Sequence, residues 1–597
     1  MSWALPLPVA IPLLAAALMV STDHLTPRLV HDAVAILASG AALAFSLVIL
    51  LASQSHDVLH WFGGWHPDGG VAIGIVFAAD PFGAAMASLA TALVFLALIY
   101  SLTYMREESR SFDVLMLGFG GAMAGFSLTG DIFNMFVWFE LMGVCAYALA
   151  GFKIEELGPV QGAFNFAVTN TLAAYMILTG IALLYARTGI LNLAQIGHEL
   201  AGDKADRLVV VSLTLIFIGL MVKAAIVPFH FWLADAHAAA PAPVCVLFSG
   251  AMVELGIFFI ARVYWTVFDA PFHAHPGPIK VLLVVIGMLT MLVGALMCFL
   301  QRHLKRLLAY STISHAGAML AGIGLLDSKS LAGVANLILA HAFLKGGLFL
   351  VCGLVLMQLK NIDEIRLRGA GRDMPITGVL WFLGSLGLVG IPYVGIFLGH
   401  GLLDDGAIEH GYGWIPALTM VAAGTCAGAM FRAGARVFLG WGADEDELLS
   451  PEPDENPQDR DAKVPLMWAV TAVMIGLGLV ASIVPGLEPR SERASERFVD
   501  RTAYASRVLH GIAVHGGPHL PFDLPSATGS SLAYGSGALL VALAVAAIGL
   551  WHGRVPRLVQ APLDAIRDAH SGIVGDYLLW IVGGTAVIGA VWAFTLP

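Results

Sequence analysis

In the segment Val222-Lys223-Ala224-Ala225-Ile226-Val227-Pro228-Phe229-His230-Phe231-Trp232-Leu233, a lysine and a proline stand at the end of a long apolar run. Proline removes one hydrogen bond from a helix and breaks it. In a bilayer such a break is tolerated where the freed carbonyl groups face protein or water. The segment therefore predicts a membrane helix that is interrupted at Pro228 and carries an ionisable side chain, Lys223, beside the interruption.

The composition of the whole chain is that of an integral membrane protein. Of its 597 residues, 58% are hydrophobic and 12% are charged, against roughly 25% charged residues in soluble chains; the mean hydropathy is +0.82. A net charge of −11 leaves no broad basic surface, so nucleic acid is not an expected partner. The five cysteines stand singly in apolar runs, and we expect neither a metal nor a cofactor site.

Runs of about 20 apolar residues, the length that crosses a bilayer, predict an all-α polytopic membrane protein with about sixteen spans. Their approximate ranges are 4–20, 33–52, 82–103, 112–129, 131–151, 159–186, 207–227, 241–267, 279–300, 305–326, 330–357, 375–401, 411–440, 463–486, 529–553 and 574–596. Residues 1–111 would hold three N-terminal helices, 112–267 and 279–440 five helices each, and 463–597 the C-terminal helices. The first apolar run lacks the basic flank and cleavage site of a signal peptide, so we interpret it as a span.

The two five-helix units are predicted to be inverted repeats. Each contains one interrupted helix, at Pro228 and at Pro392; these prolines are 164 residues apart, and the units begin 167 residues apart. Since five is odd, the second unit enters the membrane from the opposite side, an arrangement typical of transporters. Prolines also occur in ordinary spans, but the matching offsets favour the repeat.

The distribution of Lys and Arg predicts the orientation. The odd-numbered connections carry 18 of these residues and the even-numbered connections carry 11. Because basic residues accumulate in cytoplasmic loops, both termini are predicted to lie outside the plasma (inner) membrane. The two remaining basic residues, Lys223 and Lys345, fall inside predicted spans.

Seven ionisable residues inside the predicted spans are candidates for proton transfer. They are Glu140, Lys223, Glu254, His315, His341, Lys345 and His400. A charge at mid-membrane costs about 2.5–3.5 kcal/mol, so each needs a partner or a hydrated cavity. Histidine exchanges protons near neutral pH. Three histidines in neighbouring spans, together with two lysines, therefore predict a proton relay.

Lys223 and Glu140 are predicted to act as a switch in this relay. Burial disfavours the charged form of an amine, and a nearby carboxylate favours it. A lysine that moves between these surroundings takes up and releases a proton, whereas a static ion pair would only join two helices. We favour the switch because histidines follow Lys223 along the chain.

The second part of the relay is predicted from helix periodicity. His341 and Lys345 are four residues apart and share one helix face, and His315 lies on the preceding span. A haem held between His315 and His341 is the alternative, since axial histidines also come from neighbouring helices. The adjacent lysine disfavours the haem.

Two other features lie outside the relay. Polar residues of span 6 either line a hydrated path or join helices by hydrogen bonds; they are Asn165, Thr169 and Asn170. The segments 490–510 and 556–571 are amphipathic and are predicted to lie along the membrane surface.

Several motifs resemble the antiporter-like subunits of the complex I superfamily. They are Phe136-Val137-Trp138-Phe139-Glu140-Leu141-Met142, the segment from Val222 to Leu233, Asp235-Ala236-His237, Ala240-Pro241-Ala242-Pro243-Val244, Lys305-Arg306-Leu307-Leu308-Ala309-Tyr310-Ser311-Thr312-Ile313-Ser314-His315 and His341-Ala342-Phe343-Leu344-Lys345. The resemblance covers roughly residues 80–440, and the combination is highly specific. This family includes proton-pumping subunits of respiratory complex I, subunits of Mrp-type sodium/proton antiporters and subunits of energy-converting hydrogenases.

The resemblance implies a fourteen-helix core with two inverted five-helix half-channels that meet at a central lysine. It implies that Glu140 is the partner of Lys223, that His315 and His341 belong to the connecting relay, and that span 12 ends the path.

This chain departs from the family pattern at three positions. It has Glu254 where members commonly carry lysine in span 8, His400 where they carry lysine or glutamate in span 12, and Ala234 where they usually have proline. Both ionisable replacements can still exchange protons. Asp404 and Asp405 are predicted at the loop end of span 12, within reach of water.

The expected function is that of a proton-translocating subunit of a larger membrane complex, with sodium as a possible counter-ion. Mrp-type antiporters, complex I-like oxidoreductases and membrane hydrogenases all fit, as does a subunit paired with an inorganic-carbon uptake protein. The chain would carry no redox chemistry or cofactor of its own, and would at most be the translocating part of an enzyme such as NADH:quinone oxidoreductase. Its partners would be the lipid bilayer and other membrane subunits. A self-sufficient secondary transporter and a redox protein that binds haem or quinone are the alternatives.

Overall fold

The computed structural model describes residues 2–105, 110–153, 155, 157–201, 205–443, 464–512, 524, 527–551 and 570–596. The N-terminal elements are α1 (Leu7–Thr22), α2 (Arg28–Ser53), β1 (Val58–Trp61), β2 (Val76–Ala79) and α3 (Pro81–Tyr104). They are followed by α4 (Ser111–Leu128), α5 (Ile132–Ala150), α6 (Leu157–Thr188), α7 (Leu193–Glu199), α8 (Arg207–Lys223), α9 (Phe231–Ala239) and α10 (Ala242–Phe272). The two strands pair antiparallel, with Val58 opposite Ala79.

The second half of the chain is also helical. Its first part consists of α11 (Gly277–Leu300), α12 (Leu304–Gly324), α13 (Ser328–Leu359), α14 (Pro375–Gly387), α15 (Phe397–Glu409) and α16 (Ile415–Leu439). The C-terminal part consists of α17 (Pro465–Ile483), α18 (Leu487–Val499), α19 (Arg501–His510), α20 (Gly529–Trp551) and α21 (Val574–Thr595). The prediction of an all-α polytopic membrane protein is confirmed.

Thirteen helices in the described part of the chain are long and apolar enough to cross a membrane, against about sixteen predicted spans. The other three predicted spans correspond to α8, to α12 and to the interrupted pair α14 and α15. Helix α8 has only 17 residues, and α12 contains charged, hydroxyl and histidine side chains. The criteria of length and hydropathy therefore do not identify the helices that carry Lys223, His315 and His400 as candidate spans.

Helices α10 and α13 form the centre of the protein. The apolar window of α10 is 100% buried inside the protein and that of α13 is 89% buried, whereas the values for α20 and α21 are 22% and 17%. Helix α10 also contains two π-helical turns, Phe248–Met252 and Tyr264–Phe268, a distortion that is frequent at functional sites. The two central helices carry Glu254, His341 and Lys345.

The first interruption separates α8 from α9 and contains Pro228. Neighbouring side chains bond the backbone groups that the break frees, as a low-dielectric environment requires. The indole N–H of Trp232 donates to the carbonyl of Val222 over 2.9 Å. The N–H of Val227 donates to Oγ1 of Thr290 on α11 over 3.1 Å. The break is therefore a bonded part of the packed structure.

The second interruption separates α14 from α15 and contains Pro392. The hydroxyl of Ser482 donates to the carbonyl of Gly395 over 2.6 Å and accepts the N–H of Leu398 over 2.9 Å. The N–H of Gly395 donates to the carbonyl of Leu479 over 3.0 Å. One end of α17 therefore supports this break as α11 supports the first.

Replacing Gly395 by alanine is expected to destabilise the protein. Gly395 has φ +61°, and a Cβ there would lie 1.9 Å from the carbonyl oxygen of Gly387. The left-handed conformation alone costs an L-residue roughly 1–2 kcal/mol, and the overlap adds to this cost. We expect less monodisperse protein after detergent extraction and a lower midpoint of thermal unfolding. Gly476→Ala is the control, because a Cβ there meets nothing within 4 Å; an equally stable Gly395→Ala protein would contradict the expectation.

The predicted amphipathic segment 490–510 forms α18 and α19, and its apolar side packs inside the protein. Phe498, Val508 and Leu509 are each at most 4% exposed. Arg497 and Arg507 both pair with Asp57, the residue before β1. The expected position along the lipid surface is therefore wrong for these side chains, because the hairpin and α10 supply the apolar partner. Segment 556–571 lies outside the described residues except for its last two.

Candidate functional site

Lys223 is the last residue of α8 and is 1% exposed. Its Nζ donates a 2.6 Å hydrogen bond to Oδ1 of Asn170 on α6 and lies 4.0 Å from the ring centre of Phe139. Asn170 is expected either to line a hydrated path or to join helices by a hydrogen bond. In the structure its side chain bonds the buried lysine of a neighbouring helix. A neutral amide and an aromatic face therefore surround the amine.

Glu140 lies on α5, one turn before Gly143. A Cβ on Gly143 would lie 2.5 Å from Nδ2 of Asn170 and 3.7 Å from Nζ of Lys223, so this glycine makes room for the lysine and the amide. Glu140 interacts electrostatically with Lys223, and its Oε1 is buried without a hydrogen-bond partner among the described residues. The predicted partner is thus near Lys223, while the direct contact belongs to Asn170.

Glu254 and His341 form a fully buried contact between the two central helices. Oε1 of Glu254 lies 2.6 Å from Nδ1 of His341, and the exposed fractions of the two residues are 0% and 1%. A carboxylate beside an imidazole can pass a proton along this hydrogen bond. The acidic residue at a position where the family commonly has lysine is therefore paired with a titratable base.

Small residues on either side of Glu254 bring α10 close to both parts of the relay. A Cβ on Gly256 would lie 2.9 Å from the backbone nitrogen of Ala224, the residue after Lys223. A Cβ on Gly250 would lie 2.9 Å from the carbonyl oxygen of Ala342, the residue after His341. Glu254 consequently lies on the helix that packs against both the first interruption and α13.

Two further histidines, His315 and His400, continue from His341 towards the second interruption. The ring centroids of His341 and His315 are 4.9 Å apart, and those of His315 and His400 are 6.4 Å apart. Nδ1 of His315 lies 2.7 Å from the carbonyl oxygen of Ser311, which leaves Nε2 as the acceptor in the neutral ring. In the described part of the chain, the three Nε2 atoms are buried without hydrogen-bond partners. A row of available acceptors therefore connects α13, α12 and α15.

The same distances disfavour a haem between His315 and His341. A macrocycle with two axial histidines needs its iron and ring plane between the two imidazoles. At a centroid separation of 4.9 Å, the two imidazoles are in contact with each other. No macrocycle fits between them.

Lys345 is 0% exposed and lies one turn after His341 on α13. Its Nζ donates to the carbonyl of Leu308 on α12 over 3.1 Å. It interacts electrostatically with both His315 and His341. Lys345, His315 and His341 are therefore close together in the structure, as the helix periodicity predicts.

Other buried ionisable residues were not in the predicted set. Lys305 on α12 is 1% exposed and donates to the carbonyl of Ala240 over 2.9 Å. His237 stacks on Phe349 at 4.4 Å between ring centroids and interacts electrostatically with Lys305 and Lys345. Lys305 is therefore a third buried lysine in the described part of the chain, beside Lys223 and Lys345. The count of basic residues in the connections included Lys305, although it begins a predicted span. His237 stands in one of the family-like motifs, which by itself indicated no role for it.

Arg262 is a further buried cation, on α10. It is 3% exposed and pairs with Asp80 at 2.5 Å, and its guanidinium lies 4.0 Å from the ring centre of Phe498. This ion pair joins α10 to the start of α3 and to α18. Its position beside the hairpin gives it a structural role outside the histidine row.

Asp404 and Asp405 differ from their prediction and from each other. Asp404 is 5% exposed and accepts a 3.1 Å hydrogen bond from Oγ1 of Thr419 on α16, whereas Asp405 is more exposed. The placement of Asp404 within direct reach of bulk water is therefore wrong, because α16 and α20 cover this side of α15.

Comparison with known proteins places these residues in a family context. Residues 129–427 match the family model described as NADH:quinone oxidoreductase/Mrp antiporter, TM. Residues 65–112 match the model described as NADH-ubiquinone oxidoreductase (complex I), chain 5 N-terminus. The first match contains all seven candidate proton-transfer residues, and the resemblance that the motifs indicated is confirmed.

Individual relatives are similar over most of their length. NADH-quinone oxidoreductase subunit N of Desulforudis audaxviator is 30% identical over 459 residues, which cover 75% of this chain and 88% of that protein. An Na⁺/H⁺ antiporter subunit of Bacillus subtilis is 26% identical over 516 residues, covering 84% and 98%. A chain of the Mrp complex from Dietzia sp. superposes with a TM-score of 0.74 at 26% identity, covering 85% of this chain and 99% of that chain. A chain of respiratory complex I from Thermus thermophilus gives 0.60 at 25% identity, covering 79% and 96%.

Proposed function

Because this chain belongs to the NADH:quinone oxidoreductase/Mrp antiporter transmembrane family, we propose that it is the proton-translocating subunit of a multi-subunit membrane complex. The observation that carries the proposal is a row of titratable groups, the buried Glu254, His341 and His315 followed by the partly buried His400, which starts on the helix packed against the Lys223 break. Such a row is costly in a membrane and has no purpose in a protein that only binds lipid or partner helices.

In this proposal Lys223 is the switch between the two halves. It is protonated while the Glu140 carboxylate attracts its charge, and it releases the proton when that attraction weakens. Asn170 holds the amine in either state, since an amide oxygen accepts a hydrogen bond from the neutral or the charged form. The proton then passes towards Glu254 and along the histidines. Lys345 adjusts the charge of this row from within α13.

The proposed architecture has sixteen spans with two inverted five-helix repeats, at 112–267 and 279–440. The contact between Asp57 and Arg497 supports it, because two residues in contact outside the membrane lie on the same side. An even number of crossings must then separate them. Nine of the thirteen candidate helices lie between these residues; adding α8, α12 and the interrupted helix of α14 and α15 makes twelve.

We further propose that both termini face outward from a plasma (inner) membrane, as the distribution of basic loop residues indicates. The partners are other membrane subunits, as in the Mrp and complex I assemblies that contain the similar chains. Those subunits supply the driving reaction or the counter-ion, which would be Na⁺ in an antiporter. The N- and C-terminal helices, 1–111 and 463–597, flank the two repeats.

Changing Glu140 tests the switch directly. Glu140→Gln removes the charge that attracts the proton on Lys223 and should lower proton transport by about 100-fold, the lower end of what a positioned acid–base group contributes. Glu140→Asp should keep part of the rate. The measurement is proton uptake by vesicles that contain the assembled complex. Asp68→Asn, in the loop between β1 and β2, is the control for a change of net charge. Wild-type transport by Glu140→Gln would contradict the switch.

A further inference from the structure

Helix α20 lines one side of a cavity beside the second interruption. The cavity is lined by Gly390 of the interruption, His400 and Asp404 of α15, Thr419 of α16, and Ser531 and Tyr534 of α20. Gly535 permits this approach, since a Cβ there would lie 2.5 Å from the carbonyl oxygen of Gly390. Helix α20 lies beyond residue 427, where the match to the main family model ends.

Two ionisable residues of α15, His400 and Asp404, face the cavity together. His400 and Asp404 are four residues apart, so they share one helix face. His400 continues the histidine row, 6.4 Å from His315, and its Nε2 is buried without a hydrogen-bond partner in the part of the chain that the structure describes. Asp404 is 5% exposed and is held by Thr419. A cavity with several polar side chains and room for water can carry a proton between two such groups.

Beyond Asp404, the same helix leads out of the protein. Asp405 is half-buried, and Oγ1 of Thr528 lies 3.5 Å from its Oδ1. Glu409, at the end of α15, pairs with Lys329 at 2.6 Å, where both side chains are partly exposed. Asp405 and Glu409 therefore have partners of their own near the surface, and the exposed end of α15 lies within two turns of Asp404.

We propose that Asp404 is a proton-carrying residue of this chain and that α20 forms the outer wall of its exit cavity. The inference rests on the proposed function, which it extends by one step. The imidazolium of His400 gives one proton, through water in the cavity, to the carboxylate of Asp404, leaving a neutral imidazole and a carboxyl group. The carboxyl group then releases the proton towards the surface and becomes a carboxylate again. The titratable groups that face Asp404 are His400 and Asp405 on α15 and Tyr534 on α20.

Neighbouring aspartates provide a matched test. In vesicles that contain the assembled complex with the full-length chain, Asp404→Asn is expected to lower proton uptake by about 100-fold, the range that general acid–base groups contribute. Asp405→Asn, the same change one residue away on the more exposed side, should stay within about 2-fold. Asp404→Glu should recover transport with a shifted pH profile, which a merely structural role would not produce.

A second pair of variants tests the cavity without altering any titratable group. Ser531→Leu fills the cavity with apolar volume and should block transport, whereas Ser530→Leu, which does not line it, should not. This pair decides the inference if Asp404→Asn fails to assemble.

The inference is overturned if Asp404→Asn and Ser531→Leu transport protons like their controls while Lys223→Ala is inactive. That result would leave the proposed function standing. Full transport by Lys223→Ala would instead overturn the proposed function itself.

Discussion

Replacing Lys223 by alanine is expected to abolish proton translocation while the complex remains assembled. Lys223 is a buried titratable group beside the first interruption, and Asn170, its direct partner, cannot carry a proton in its place. We expect transport to fall by about 100-fold or more, as for other positioned proton-transfer groups. The loss should not be compensated by leakage through lipid, because moving one charge across the bilayer requires about 2.3 kcal/mol per 100 mV.

The measurement is proton uptake by vesicles that contain the complex, driven by a potassium diffusion potential. Lys223→Met is a second variant, which keeps the length of the side chain and removes the charge. Lys280→Ala, in the first turn of α11, is the control for losing a lysine at a more exposed position. A stably assembled Lys223→Ala complex with full transport would refute the central role of this residue.

The second large effect is expected at His400. His400→Leu removes the last histidine of the row and should block transport by about 100-fold, since no other imidazole of the row follows it on α15. His400→Lys supplies the commoner residue of the family at this position and should preserve transport with a shifted pH profile. The three proteins are compared in the same vesicle assay over a range of pH.

Lys345→Leu separates this path from an exit at α13. If His400 carries the proton, both His400→Leu and Lys345→Leu impair transport, because Lys345 adjusts the charge of the histidine row. If His400 only packs against α20, His400→Leu transports normally and Lys345→Leu does not. The second result would remove α15 from the path.

Local sequence patterns were sufficient for the membrane character and the interrupted helices. Hydropathy and proline positions act within about 20 residues of chain, so they can be read without knowing what a helix packs against. Hydropathy did not predict the burial of Lys305 and Arg262, because it does not show which charged side chains are covered by neighbouring helices.

The partners of these residues depended on tertiary packing. Lys223 contacts Asn170, 53 residues away, and Glu254 contacts His341, 87 residues away. Such contacts follow from how each helix is rotated and how closely glycines let the helices approach, and no local periodicity contains that information. For the same reason the sequence predicted Asp404 near water, whereas α16 and α20 bury it beside His400. Hydropathy identifies most of the segments that are able to cross a bilayer, but long-range packing decides which ionisable groups meet inside the protein.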